Sequence, residues 1–173
     1  MSAISKPQPG EYPAYAEMYF KWVSEDFPLT RQLQDNAQRS MDIIRSMPVE
    51  KTTLPFAPGE WTVKEIFGHM LDQERVLIYR ALRFSRCDET ELATFDHENY
   101  VKHSRANHRP LEDMIAEFSS IRKASITFFN SLDELALVRC GSVGGNRFSV
   151  RALAWLTVGH ELHHINSIKQ NYL

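Results

Sequence analysis

The chain contains very little cysteine. Its two, Cys87 and Cys140, lie far apart with no CxxC spacing, which excludes a disulfide framework or a thiolate-rich zinc module. Neither has a basic or metal-like neighbour at helical spacing, so neither is assigned a nucleophilic role. Long apolar runs are missing as well. The longest, Ala152 to Val158, is interrupted by Thr157 and falls far short of the roughly 20 residues of a membrane span. Neither sign of charge dominates: 20 Lys and Arg stand against 22 Asp and Glu, a net −2. Without a basic surplus to meet phosphates, nucleic acid is not an expected partner. The opening MSAISKPQPG lacks the positive-then-apolar layout of a secretory signal, so the expected location is cytoplasmic. No proline follows Pro110, and three of only seven glycines cluster at Gly141, Gly144 and Gly145.

What is there is a chain of 173 residues, 43% hydrophobic and 24% charged, the composition of a folded domain. That length buries roughly 70% of the unfolded surface. Residues 1–173 read as one helical-bundle domain, with 1–13 as an extended N-terminal arm. A short helical piece spans about Ala14 to Val23, and four long helical periods follow. The first runs from about Leu29 to Met47, with Leu33, Ala37, Met41 and Ile44 on one face and Pro48 as its stop. The second opens at the capping box Thr62-Val63-Lys64-Glu65, with Trp61 placed as a hydrophobic staple on Ile66, and continues to about Arg86. The third begins with Pro110 at its first position and reaches Asn130. Ser149 caps the fourth, Val150 to about Asn171. No segment carries a sustained period-2 pattern with a hairpin turn. The expected fold is therefore all-α, a four-helix bundle. About two dozen residues link the second and third helices. A helix of this size is roughly 35 Å long, which about a dozen extended residues can cross, so the length permits a parallel pair without requiring one.

On the fourth helix His160 and His164 fall within about 40° of each other at 100° per residue, continuing a line of Leu153, Leu156 and Thr157. This i, i+4 spacing lets two imidazoles reach one ion. On the second helix His69 lies at the edge of the stripe formed by Ile66, Met70 and Leu77. Gly68 and Gly159, the two glycines inside helices, each precede one of these histidines. A helical glycine costs about 1 kcal/mol against alanine, and close approach of the two helices would repay that cost and draw His69 toward the pair. Three neutral imidazoles with a further position open is the donor set of a catalytic rather than a structural site. The bland alternative is three histidines bonded to backbone or water.

His160-Glu161-Leu162-His163-His164 also matches the HExxH pattern of zinc proteases, in which the glutamate is the base. The zincin arrangements take their third ligand downstream, and the residues after His164 include no His, Asp or Glu. With no edge strand evident to hold a peptide, the protease reading is set aside. Glu161 remains a candidate base or supporting group beside the ion, although it lies off the ligand line. Glu74 sits among Met70, Ile78 and Ala81, and Arg122 among Ile115, Phe118 and Phe129. Each would pay several kcal/mol if buried alone, so the two are expected to pair across the core. In the polar link, His97, His103 and His108 suit no helical metal face and are expected in solvent. Phe95 and Tyr100 are candidates for lining a substrate mouth, and Asp96 for managing a proton there.

Three stretches taken together resemble a known family: WTVKEIFGHMLDQER with the following YRALRF (Trp61 to Phe84), FDHENY (Phe95 to Tyr100), and VRALAWLTVGHELHHI (Val150 to Ile165). They resemble the DinB/YfiT-like superfamily of metalloenzymes, over nearly the whole chain. The resemblance implies a four-helix bundle of up-down-down-up topology and a divalent metal, zinc or nickel. It implies as ligands one histidine on the second helix and an HxxxH pair on the last, here His69, His160 and His164. His163 matches no ligand position. The resemblance further implies a homodimer, and a reaction in which a low-molecular-weight thiol, held as thiolate, attacks an electrophilic small molecule. The alternatives are hydrolysis by an activated water and a metal-binding stress or sensor module without turnover.

Overall fold

The structure, a computed structural model, describes residues 4–173. A single 3-10 turn at Ala14–Ala16 leads into α1 (Glu17–Phe20); then come α2 (Leu29–Arg45), a 3-10 turn (Val49–Thr53) and α3 (Val63–Ser85). The link after α3 contains α4 (His97–Ser104) and the 3-10 turn Ala106–His108. The chain then forms α5 (Leu111–Asn130), α6 (Glu134–Val138), β1 (Cys140–Val143), β2 (Asn146–Ser149) and α7 (Val150–Tyr172).

The long helices begin where local chemistry dictates. Thr62 accepts from the Glu65 backbone N–H while the Glu65 side chain accepts from the Thr62 N–H, a complete capping box that satisfies two otherwise orphaned donors. Ser149 caps α7 by accepting from the Ala152 N–H. Pro110 is the residue before α5 rather than its first.

The helices α2, α5, α3 and α7 pack in a ring, each against the next, with α7 closing back on α2. Their apolar faces form two core clusters. One holds Leu29 and Leu33 of α2, Leu77, Ala81 and Phe84 of α3, Phe129 of α5 and the Val150–Val158 end of α7. The other holds Ala37 and Ile44 of α2, Val63 to Leu71 of α3, Leu111 to Phe118 of α5, and Ile165 and Ile168 of α7. Each fully buried Leu, Ile or Phe contributes about 1.5–3 kcal/mol. Between the clusters lies a polar layer of buried residues: Glu74, Arg122, Ser125, His160 and Glu161.

Two departures from the sequence expectation matter. The fold is mostly helical but not wholly so, because β1 and β2 pair as an antiparallel hairpin, Cys140 opposite Ser149 and Val143 opposite Asn146. Gly144 and Gly145 make its two-residue turn, both at positive φ (+52° and +77°), the conformation such hairpin loops demand. The link between α3 and α5 is likewise structured, not open: Leu92 exchanges backbone hydrogen bonds with Ser142 and Gly144 of the hairpin. The residues before α1 lie along the start of α7. There the Glu11 carbonyl accepts from the Ser149 N–H at 2.8 Å, Glu11 pairs with Arg151, and the Ile4 carbonyl accepts from the Trp155 indole. No helix among the described residues is long and apolar enough to cross a membrane.

Candidate metal centre

α3 and α7, packed side by side, carry His69 and His160 to the same level. His69 Nε2 lies 3.0 Å from His160 Nε2. His164, one turn further along α7, brings its Nε2 to 3.0 Å from that same atom. One ring nitrogen from each of the three falls within 4.8 Å of the others, and no fourth His, Cys, Asp or Glu joins them among the described residues. His69 and His160 are buried, and His164 is half-buried.

Burial pushes the His69 imidazole down to about 4, with His97 nearby adding to the effect. Burial and the neighbouring imidazoles push His164 down to about 3 and His160 well below its ordinary value. All three are neutral at pH 7, the state in which imidazole is a ligand. A tetrahedral ion with bonds of about 2.0–2.1 Å separates its donor atoms by about 3.3 Å, close to the spacing here. Neutral imidazoles alone fit this geometry poorly. The Nε2 of His160 carries either one hydrogen or one lone pair, so it serves one of two converging neighbours and not both. The donor set fits a divalent cation of the zinc type with part of its coordination shell open.

The glycines before these histidines act differently from expectation. They do not bring α3 and α7 together. A Cβ on Gly159 would lie 2.5 Å from the Tyr19 carbonyl oxygen, and one on Gly68 would lie 3.3 Å from Ala106 Cβ. Gly159 therefore admits the backbone of α1, and Tyr19 arrives with it. The Tyr19 ring stands 5.6 Å from His160 and packs edge-on against His163 at 5.3 Å. His163 thus belongs to an aromatic contact on α7 and not to the three converging nitrogens.

The Glu74–Arg122 pair forms inside the polar layer. Arg122 donates to Glu74 from Nε (2.9 Å) and Nη2 (2.8 Å). Its Nη1 donates to Glu161 and to the Leu33 carbonyl, both at 2.7 Å. Ser125 completes Glu74 and Ser40 completes Glu161, at 2.7 and 2.6 Å. Burial works against the Arg122 charge, but the two carboxylates hold its pKa above the ordinary value. Glu161 is therefore occupied on both oxygens in a buried ion network behind His160, and the zincin-like base position is not available to it.

In front of the histidines opens a cavity of about 290 Å³. His69 and His160 form one side, Tyr15 and Tyr19 come from the N-terminal segment, and Val143, Asn146 and Phe148 from the hairpin. Phe95 lines it. Tyr100 does not; it is exposed and packs on Phe95 with ring centroids 4.9 Å apart. Asp96 is also outside the cavity, serving as N-cap of α4 by accepting from the Asn99 N–H. That cap starts a helix whose first residue, His97, is a cavity-lining histidine 5.9 Å from the His69 ring. His97 is exposed, as expected of the polar link, but its place at the cavity is new; Asp96 followed by a helical run is the sequence signal for it. Gln73 and Arg80 were also missed, although they continue the face of His69 at i+4 and i+11.

A mostly helical bundle in which three histidines converge, two of them lining an open cavity, defines the class as a helical bundle with a candidate metal site. The family model of the DinB superfamily matches residues 32–168, and the chain belongs to that superfamily. Among solved structures it is similar to YfiT from Bacillus subtilis, described as a probable metal-dependent hydrolase with an unusual four-helix bundle topology. That likeness has a TM-score of 0.74 at 16% identity and covers 95% of this chain and 90% of that one. A comparison with curated proteins yields no match.

Proposed function

We propose that this protein is a metal-dependent enzyme acting on a small molecule, with His69, His160 and His164 as the ligands of one zinc or nickel ion. The observation that carries the reading is three neutral ring nitrogens converging beside a cavity that His69 and His160 line, with no fourth protein donor among the described residues. A structural site closes its shell with protein ligands, whereas a catalytic one keeps a position for substrate. This favours an enzyme over a sensor module. The chain order up-down-down-up belongs to the same proposal. It is supported by the core cluster that gathers the N-terminal ends of α3 and α5 with the C-terminal ends of α2 and α7.

When bound, the ion supplies Lewis acidity, holding a thiol as thiolate or lowering the pKa of a water. Between these, thiol S-transfer is the preferred reading, because no carboxylate lines the cavity and Glu161 is tied to Arg122 and Ser40. Hydrolysis calls for a group to take the water's proton, and the exposed His97 is the titratable side chain the cavity offers for it. The description of YfiT as a probable metal-dependent hydrolase keeps hydrolysis as the second reading. The chain's own residues position the reactants: Tyr19 and Phe95 wall the cavity, and Gln73 and Asn146 offer amide hydrogen bonds within it.

The test is S-conjugation of an electrophile with a panel of cellular thiols, run on zinc- and nickel-loaded protein with and without chelator. Chelator-sensitive conjugation is the expected result. Metal-dependent ester or amide cleavage without conjugation would move the assignment to hydrolysis. A metal-loaded protein inert in both assays would return it to the binding module.

A further inference from the structure

The cavity holds a cation that nothing in the protein neutralises. Arg80 on α3 is only 8% exposed and lines the cavity, yet it forms no ion pair with any carboxylate among the described residues, and Tyr15 is the neighbour whose charged form acts on it. Residues 1–3, Met-Ser-Ala, bring no acidic side chain either. Its one protein hydrogen bond, from Nη2 to the Ala93 carbonyl, is stretched to 3.5 Å. A guanidinium has five N–H donors. No buried side-chain nitrogen is sealed away without a partner, so the unused donors open onto the cavity. Burial pulls the Arg80 pKa below the ordinary arginine value, and the neighbouring Tyr15 offsets this only in part. The protein thus bears the desolvation cost of a charge at this point and leaves its hydrogen-bonding capacity free.

Resting on the enzyme reading above, we infer that Arg80 anchors a carboxylate of the substrate or co-substrate, with the remainder of that molecule lying along the cavity toward the three histidines. The chemistry selects a carboxylate. The planar fork of arginine matches a carboxylate with two parallel hydrogen bonds. The Phe95 ring, 5.9 Å from the guanidinium carbon, backs the fork on one side. A phosphate dianion would call for a second fixed cation, and no other Arg or Lys lines the cavity. The spacing suits a short molecule. Eleven residues of helix separate Arg80 from His69, about 16.5 Å of rise; both side chains lean toward the N-terminus, so the longer arginine spans only part of that gap. A cavity of about 290 Å³ sits at the small end of ligand pockets, about 300–1,000 Å³.

The probe is sodium pentanoate, titrated into the full chain at pH 7 and followed by amide chemical shifts, with and without one equivalent of zinc. Pentanamide serves as the neutral isostere and inorganic phosphate as the competing anion. The expected result is saturable pentanoate binding in both metal states, weakened at least about tenfold in Arg80→Met and less in Arg80→Lys, with pentanamide indifferent to the substitution. Equal pentanoate affinity in wild type and Arg80→Met would overturn the assignment, as would absence of saturation in the wild type or tighter binding of phosphate than of pentanoate. Because the metal-free arm does not depend on the ion, Arg80-dependent binding there stands even if every turnover assay fails.

Discussion

Replacing Arg122 by methionine probes the polar layer most directly. The substitution removes four hydrogen bonds, two to Glu74, one to Glu161 and one to the Leu33 carbonyl. It leaves two carboxylate side chains, 4% and 3% exposed, without their counter-ion. Breaking one buried pair costs about 3–5 kcal/mol. With two carboxylates orphaned the loss at pH 7 belongs at the upper end of that range, against a typical total of about 5–15 kcal/mol. The pH response is the more telling measurement. In the variant, Glu161, which burial already pushes above its ordinary value, gains by binding a proton in the folded state. Relative to wild type the native state of the variant then holds more protons, so its stability deficit narrows as pH falls from 7 toward 5. Urea denaturation of wild type and variant at pH 7, 6 and 5 measures both effects. A triple R122M/E74M/E161M variant, with no buried charge left, is expected to recover most of the loss. A cost under about 1 kcal/mol at pH 7, or a variant that loses stability on acidification as steeply as the wild type, would refute the argument that Arg122 holds two buried charges in place.

Three further outcomes are expected. His160→Ala abolishes stoichiometric zinc binding while His163→Ala retains one ion per chain, as read by elemental analysis after dialysis. Metal-free wild type loses stability as pH drops below about 6.5, because the unfolded histidines take up protons that His69, held down to about 4, resists; for His69 alone the full effect is about 3 kcal/mol, seen in denaturant midpoints across that window. Gly159→Ala drives a methyl group into the Tyr19 carbonyl and lowers stability by about 1–3 kcal/mol, whereas Gly68→Ala, whose nearest neighbour is a methyl at 3.3 Å, costs less in the same thermal melts.

The parts of this fold legible in the sequence are those with long, strongly periodic patterns and explicit caps. Thr62 with Glu65 marks the start of α3, and Ser149 marks that of α7. The misplaced polarity of Glu74 and Arg122 pointed to each other across the core, because burying either charge alone is too costly. The hairpin escaped because strands of four residues, with burial weighted to one end, carry no period for a pattern to reveal. Helix α4 escaped for a related reason: Val101 is its one buried residue, so it has no apolar stripe, only a cap. The glycines were read correctly as sites of close approach but assigned to the wrong neighbours. Nothing in a four-residue helix such as α1 announces that its backbone will lie on Gly159.

The placement of α1 has a consequence for what shapes the chamber. Tyr15 and Tyr19, which wall the cavity beside His160, precede residue 32, where the match to the family begins. The three histidines thus lie within the matched span, while one flank of the chamber beside them comes from residues ahead of it. Replacing Tyr15 and Tyr19 would accordingly reshape the chamber while leaving the three converging histidines in place.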